Sequence, residues 1–392
     1  MKWPVKKLGD VLGTAEIFTD GDWVESKDQD VNGNIRLLQL ADIGDGNFIN
    51  KSNRYINDET FDRLKCTEVK AGDILIARMP DPLGRACIFN GLHQKCITVV
   101  DVCVIRVDSA FIDTRWLMHA INSQAVRSQI KNLAKGATRV RISRKNLQEL
   151  KIEFPPLAEQ KRIAALLDTA DNVIRLREQA IAKLDELAQS VFENLLRSND
   201  KIERKCLSEL TIKVDSINPS EMYGEDEFTY IDIGSVNNEL KVIVNPSFVK
   251  GLEAPSRARQ LVKINDVLIS TVRPNLNAVA MVMKDFKRPI GSTGFCVLRC
   301  DERKILPDIV FAIAKSKPFI KSMMNCATGA SYPAVTDKIV KAYMVPLLEM
   351  EEQIKYVEFM RRVNKMKDQF NDYANASVLL HNSLQHQSFA VN

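Results

Sequence analysis

The stretch IEFPPLAEQKRIAALLDTADNVIRLREQAIAKLDELAQSVFENLL, Ile152 to Leu196, contains no glycine and no proline after Pro156. Along it Ile163, Leu167, Ala170, Ile174, Ile181, Leu184, Ala188, Val191 and Leu195 recur in alternating steps of four and three, with Arg177 the one polar member of the seam. That period belongs to a long helix packed lengthwise against another helix. Pro155-Pro156 suits its first turn, where a missing N–H costs nothing. A helix of about forty residues is ~60 Å long and cannot bury its own stripe.

A second seam follows Glu349 through Tyr356, Phe359, Val363, Met366, Phe370, Tyr373, Ser377, Leu380 and Leu384. The simplest solution pairs the two helices antiparallel, with globular parts at opposite ends. Remaining apolar faces, including Phe192, Phe359 and Phe370, are then expected to take helices from another protein.

What precedes each helix is a duplicated unit. VCVIRVD (Val102–Asp108) returns as FCVLRCD (Phe295–Asp301), 193 residues later. At the same spacing VKAGDILI (Val69–Ile76) returns as VKINDVLI (Val262–Ile269), Gly136-Ala137 as Gly329-Ala330, and Glu159-Gln160 as Glu352-Gln353. A period this long signals domain duplication, because each copy can bury its own core. Strands are predicted at 73–77, 96–107, 266–271 and 295–298, and helices at 114–133 and 307–324. Turn clusters DPLG, VNGN and RPNLN separate the strands. The expected fold class is α+β: two repeated globules of short strands plus helices, separated by two long antiparallel coiled-coil helices, with a pseudo-twofold. The expected divisions are 1–153, 154–200, 201–346 and 347–392.

The composition is that of a globular chain: 392 residues, 45% hydrophobic. No apolar run approaches the ~20 residues of a membrane span, and MKWPVKKLGD lacks the apolar core of a signal peptide. Eight cysteines without CxxC pairing read as buried thiols in a reducing compartment, so a cytoplasmic location is expected. The net charge of +5 says less than its distribution. Between Thr114 and Gln148 there is no acid, yet Arg115, Arg127, Lys131, Lys135, Arg139, Arg141, Arg144 and Lys145 lie there. The matching stretch Ile309–Thr336 also lacks acids and holds Lys315, Lys317 and Lys321. Such runs suit a polyanion such as DNA.

Catalytic signatures are missing. There is no Gly-Lys pair and hence no GxxxxGK[ST] loop. Gly44-Asp45-Gly46 reads as a turn, and NPSF (Asn245–Phe248) as a turn entering a strand. His93, His119, His381 and His386 are not at zinc-ligand spacing with cysteines, and the last two are expected on a solvated helix face. Asp73 and Asp266 read as turn caps.

The segment Ile152–Leu196 resembles the central helical region of type I restriction-modification specificity subunits. Their I-x-x-P-P-L-x-E-Q-x-x-I helix start is matched by Ile152, Pro155, Pro156, Leu157, Glu159, Gln160 and Ile163. GATRVRISRKNLQEL (Gly136–Leu150), NDVLISTVRPNLNAVAMV (Asn265–Val282) and GSTGFCVLR (Gly291–Arg299) resemble that family's target recognition domains. The likeness covers essentially the whole chain, with two departures. The second helix start carries Leu348-Glu349 in place of two prolines, and the RPN loop aligns with Arg78-Met79-Pro80-Asp81.

The resemblance implies a non-catalytic, sequence-specific DNA-binding specificity subunit. It would read a split target in double-stranded DNA and dock two methyltransferase subunits, and through them motor–nuclease subunits. No cofactor is expected in this chain. S-adenosylmethionine, ATP and Mg belong to the partners, and no membrane is involved. Expected DNA-binding residues are Arg78, Arg85, Arg139, Arg141, Arg144 and Lys145 in the first copy. In the second they are Arg257, Arg259, Arg273, Asn275, Asn277, Ser331 and Tyr332. Expected partner-binding residues are Leu167, Ile174, Ile181, Leu184, Phe359 and Phe370. The competing readings are a specificity chain of a single-complex system cutting on both sides of its target, a stand-alone nuclease or methyltransferase, and a coiled-coil adaptor that binds no DNA.

Overall fold

Two of the repeated motifs meet in space. Strand Ile74–Ala77 runs antiparallel to strand Val102–Arg106, with Leu75 opposite Val104. Their counterparts, Val267–Ser270 and Phe295–Cys300, place Leu268 opposite Val297, the same register in both copies. Asp73 accepts from the Lys70 amide at 2.8 Å and from Arg106 Nε and Nη2, both at 2.7 Å. Asp266 repeats this with the Lys263 amide and Arg299. Both carboxylates are 1% exposed. They cap their turns as expected, and each also holds an arginine fork across the sheet, a pairing stronger than a neutral hydrogen bond.

The computed structural model describes residues 3–136, 140–197, 203–329 and 332–389. The chain forms two compact units, Met1–Gln179 with Asn371–Asn392, and Ala180–Phe370. In the first, strands Ile17–Asp20, Val102–Arg106, Ile74–Ala77 and Ala86–Ile88 form an antiparallel sheet in that order. A second sheet orders Tyr55–Ile56, Ile35–Leu38 and Cys96–Thr98, with Leu37 parallel to Ile97. Both faces of Ile74–Ala77 are covered, Ile74 and Ile76 by one core, Leu75 and Ala77 by another. This is why the strand reads as a continuous apolar run.

The second unit repeats the plan. Thr211–Ile212, Phe295–Cys300, Val267–Ser270 and Val279–Met281 form the first sheet in that order. Ser247–Lys250, Glu227–Ile231, Pro289–Ser292 and Ala258–Leu261 form the other, again with a parallel pair, Tyr230 and Ile290.

Some predicted elements divide. The stretch 96–107 is two strands, Cys96–Thr98 and Val102–Arg106, joined by a turn in which Val102 donates to Val99. The stretch 114–133 is two helices, Thr114–Asn122 and Gln124–Leu133. Ser123 adopts an extended backbone between them and caps the second through Oγ. Ser316 does the same between Pro307–Lys315 and Lys317–Cys326. A serine cap competes with helix continuation because its hydroxyl satisfies a free amide.

The long helices run Leu157–Arg197 and Met350–Phe389. In the first unit, Ile163 and Leu167 join the globule's core beside Phe389. Further along, Asp171 meets His381 at 2.9 Å. Arg177 donates to Tyr373 O and Ser377 Oγ. In the second unit, Asp185 pairs with Lys367 at 2.6 Å, and Phe192 lies 5.2 Å from Tyr356. Within each unit the helices therefore run antiparallel. Every predicted seam position on the first helix is buried or half-buried.

The second helix departs from its predicted seam. Met366, Tyr373 and Leu380 are exposed, whereas Lys367 and His381 sit at the contact. A step of four after Val363 replaces the step of three, and polar cross-helix partners take those places. His381 is accordingly not on a solvated face. Phe192, expected to face outward, is buried.

A buried glutamine joins each globule to its helix. Gln160 accepts from the Asp113 amide at 2.9 Å and donates to Pro155 O at 2.9 Å. Gln353 accepts from the Leu306 amide at 2.8 Å and donates to Leu348 O at 2.8 Å. Nearby, Arg115 pairs with Asp168 at 2.9 Å, and His119 with Asp168 at 2.8 Å. At the corresponding places in the second unit the signs are reversed: Asp308 lies within electrostatic reach of Arg361.

Gln353→Leu takes the side-chain partner from the Leu306 amide and from two carbonyls, those of Lys304 and Leu348. It is expected to destabilise the second unit by about 2–4 kcal/mol, read as a lower melting temperature or urea midpoint.

Candidate nucleic-acid interface

Leaving strand Val267–Ser270, the second unit forms a tight loop, RPNLN. Arg273 (φ 50°) and Asn277 (φ 45°) are both left-handed and bracket a single 3-10 turn, Pro274–Leu276. The main chain holds it from both sides. The Arg273 amide donates to Pro333 O at 2.7 Å, and the Asn277 carbonyl accepts from Lys241 Nζ at 2.6 Å. Beside it the chain carries Gly329, whose φ is 98°. A Cβ there would sit 2.8 Å from Tyr332 O, so the position requires glycine.

The Arg273 guanidinium lies 4.8 Å above the Tyr332 ring, and Tyr332 is 68% exposed. Arg273, Pro274, Asn275, Leu276, Met324, Ala327 and Pro333 line a cavity of about 410 Å³. Arg273, Asn275, Asn277 and Tyr332, all predicted from sequence, are thus brought together. Arg257 and Arg259 sit elsewhere, at the edge strand Ala258–Leu261, with Arg259 donating to Ala258 O. Ser331 lies outside the described residues.

At the equivalent place in the first unit Lys135 and Arg141 form an antiparallel bridge, and Gly136 has φ 113°. Arg141 is half-buried, paired with Asp101 at 3.0 Å. Arg144 donates to Phe18 O at 3.1 Å. Lys131, Lys135 and Lys145 are exposed. Arg139 lies outside the described residues. The basic run is less positive than it reads, because Arg127 meets Asp45 and Arg115 meets Asp168, acids supplied from outside it.

Arg78 and Arg85 are corrections. Arg78 is 5% exposed, pairs with Asp20 and donates to Ile142 O and Val100 O. Arg85 is 7% exposed and donates to Ile43, Leu40, Met79 and Pro82 carbonyls. Neither guanidinium faces outward; both tie loops to the core. Arg78 also aligns with Thr271 rather than with Arg273. Arg78 O accepts from Ile142 N, as Thr271 O accepts from Val335 N. The place of Arg273 is taken by Pro80.

Two lysines lie near the second unit's loop, of which Lys241 escaped sequence analysis and Lys315 was read only as part of the acid-free run. Lys241 lies beyond strand Val236–Asn237, in a hairpin outside the repeated motifs. Lys315 is half-buried, 4.2 Å above the Phe311 ring. Burial, then Lys367 and Lys241, push its ammonium down to about 8, opposed by Asp185 and Asp308. Burial also lowers Lys241.

The remaining chemistry is sparse. Cys103 and Cys296, at equivalent positions, are buried thiols pushed up to about 12 by burial. Cys326 is exposed and Cys206 half-buried, against the expectation of burial, whereas Cys66, Cys87, Cys96, Cys103, Cys296 and Cys300 are buried. Gly44-Asp45-Gly46 is a turn in which Gly44 donates to Asn47 O. Among the described residues, no three or more His, Cys, Asp or Glu side chains are grouped to hold a metal, and no helix is long and apolar enough to cross a membrane.

Residues 1–186 match the family described as type I restriction modification DNA specificity domain. A putative type I restriction enzyme MjaX specificity subunit of Methanocaldococcus jannaschii is 23% identical over 395 residues, covering 93% of this chain and 87% of its own. The putative specificity subunit S.HindORF215P of Haemophilus influenzae is 29% identical over 163 residues, 40% of each chain. Among solved structures, a type I restriction-modification S subunit from M. genitalium matches 100% of this chain and 97% of its own, with a TM-score of 0.59 at 16% identity. A chain from a study of complex assembly and conformational transition of the type I system matches 99% and 97%, with a TM-score of 0.59 at 17% identity. At these identities the structural likeness speaks for the fold.

Two outcomes are expected. Arg78→Ala lowers stability by about 3 kcal/mol by stranding the partly buried Asp20 carboxylate, and leaves any DNA sequence preference intact. Lys315 holds its proton less tightly folded than unfolded, where its ordinary value is 10.5. The unfolded state therefore binds more protons between about pH 8 and 10.5, and this group's contribution to stability rises with pH across that window. Lys315→Met removes that rise, measurable as the difference between urea midpoints at pH 7.5 and 10.

Proposed function

We propose, from the match of residues 1–186 to the type I restriction modification DNA specificity domain, that the whole chain is a member of that family and reads a bipartite DNA target for a methyltransferase and restriction complex. The chain itself is non-catalytic. The observation that carries the proposal is the second unit's repetition of the first unit's sheet register with different loop chemistry. Pro80 stands where Arg273 stands, and Arg139 where Tyr332 stands. Two equal scaffolds with unequal loops suit a target of two unequal halves.

Phosphates are met by exposed cations, and bases by loop side chains. In the first unit Lys131, Lys135 and Lys145 are the exposed cations, Arg141 and Arg144 stand half-buried beside them, and Arg139 belongs to the same basic run. In the second unit the contacts are Arg257, Arg259, Arg273, Asn275, Asn277, Ser331 and Tyr332. The long helices carry the globules and set the gap between half-sites. Two methyltransferase subunits holding S-adenosylmethionine dock on the helices, and motor–nuclease subunits using ATP and Mg join through them. The complex works on chromosomal and invading DNA in the cytoplasm.

Of the residues first expected to dock partners, Leu167 is buried, and Ile174, Ile181, Leu184, Phe359 and Phe370 are half-buried. Docking therefore falls to the exposed apolar residues. These include Leu166, Leu176, Tyr373, Leu379 and Leu380 in the first unit, and Leu187, Ile354 and Met366 in the second.

Binding of the assembled complex to its target is expected to weaken linearly in log–log form as salt rises. Methylation mapped across a host genome carrying the genes is expected to show a split motif. Binding insensitive to salt, or a continuous motif, would overturn the proposal. Leu379→Asp with Leu380→Asp is expected to abolish co-purification with the methyltransferase while leaving the melting temperature of the chain unchanged.

A further inference from the structure

Resting on the DNA-recognition reading above, we infer that Arg273 reads the major-groove edge of a guanine and fixes one G·C pair in the half-site of the second unit. Four observations converge on this residue.

The guanidinium is aimed. Stacked over the Tyr332 ring at 4.8 Å, it is held by one face, and among the described residues its in-plane N–H groups have no acceptor. Its backbone is fixed as well. Left-handed geometry at Arg273 and Asn277 is costly for residues with a Cβ, and such strain persists only where the surroundings impose it. Here the Pro333 carbonyl and Lys241 Nζ impose it. Among the described residues no carboxylate lies within ion-pair distance of Arg273, whereas Arg115, Arg127, Arg141 and Arg299 each have one. An exposed, rigid and uncompensated arginine is suited to a ligand from outside.

The surroundings select the ligand. Pro274, Leu276, Met324, Ala327 and Pro333 supply the apolar part of the adjoining cavity wall, and Arg273 and Asn275 the polar part. A phosphate seat gathers amides and free cations, but the neighbouring Lys241 is engaged with the Asn277 carbonyl and does not line the cavity, whereas the edge of a base presents acceptors beside carbon. Guanine O6 and N7 are two acceptors at the spacing of the arginine fork, the commonest specific arginine contact in the major groove. In the first unit Pro80 holds this place and offers no donor, so the contact belongs to one half-site alone.

The test uses the assembled methyltransferase complex and a randomised duplex library. Wild type is expected to select a guanine at one position of one half-site. Arg273→Ala and Arg273→Lys are both expected to relax that position at least ten-fold, with the other half-site unchanged. Tyr332→Phe keeps the selectivity and Tyr332→Ala weakens it. Replacing that guanine by 7-deazaguanine in the DNA removes N7 without touching the protein. It is expected to weaken wild-type binding and to leave Arg273→Ala unaffected.

A motif unchanged in Arg273→Ala, with a salt slope lower by about one, assigns the residue to a phosphate and overturns the inference while DNA recognition stands. Wild-type complex that binds no DNA in a salt-dependent manner overturns both.

Discussion

One buried side chain sets where each globule stands on the helix that follows it. Gln160 and Gln353, both 0% exposed, bond at once to a main-chain amide of the globule and a carbonyl just before the helix. A carboxamide donates and accepts at once, through separate atoms, without carrying a charge. It thereby locks the helix in both translation and rotation, and a mismatch would strand buried polar groups. Because its partners are main-chain atoms, the neighbouring side chains are free to differ. Pro155-Pro156 and Leu348-Glu349 support the same joint.

Much of this architecture was legible because it rests on local periodicity and on repetition. The first helix obeys its apolar seam throughout. The second does not, since after Val363 the next contact is reached equally well by three residues or by four, and apolar Met366 is the natural choice by sequence. The choice of Lys367 depends on Asp185 waiting across the pair, far away in the chain. Arg78 and Arg85 were misjudged for a related reason. An arginine in a turn reads as outward, and nothing local announces that carbonyls from residues 40, 43, 100 and 142 converge on them. The RPNLN loop was legible because proline and asparagine declare a turn, but the stacking of Arg273 on Tyr332 was not.

The molecule divides labour between buried charge and exposed charge. The Asp73–Arg106 and Asp266–Arg299 forks are the same in both units and hold the sheets. Cations at the loop rims differ between the units and have fewer protein partners. Rigid turns on a fixed sheet let a few exposed side chains be positioned without disturbing what lies beneath them.

The reversed charges beside the glutamine joints bear on modular exchange. Arg115 faces Asp168, whereas Asp308 faces Arg361. A globule transplanted onto the other helix would bring arginine against arginine, or aspartate against aspartate. A cassette that keeps each globule with its own charge partner would therefore end beyond Asp168, several turns inside the helix, rather than at the prolines where the helix begins. A graft cut at the prolines inherits a mispaired lock, and one cut beyond Asp168 carries its own key.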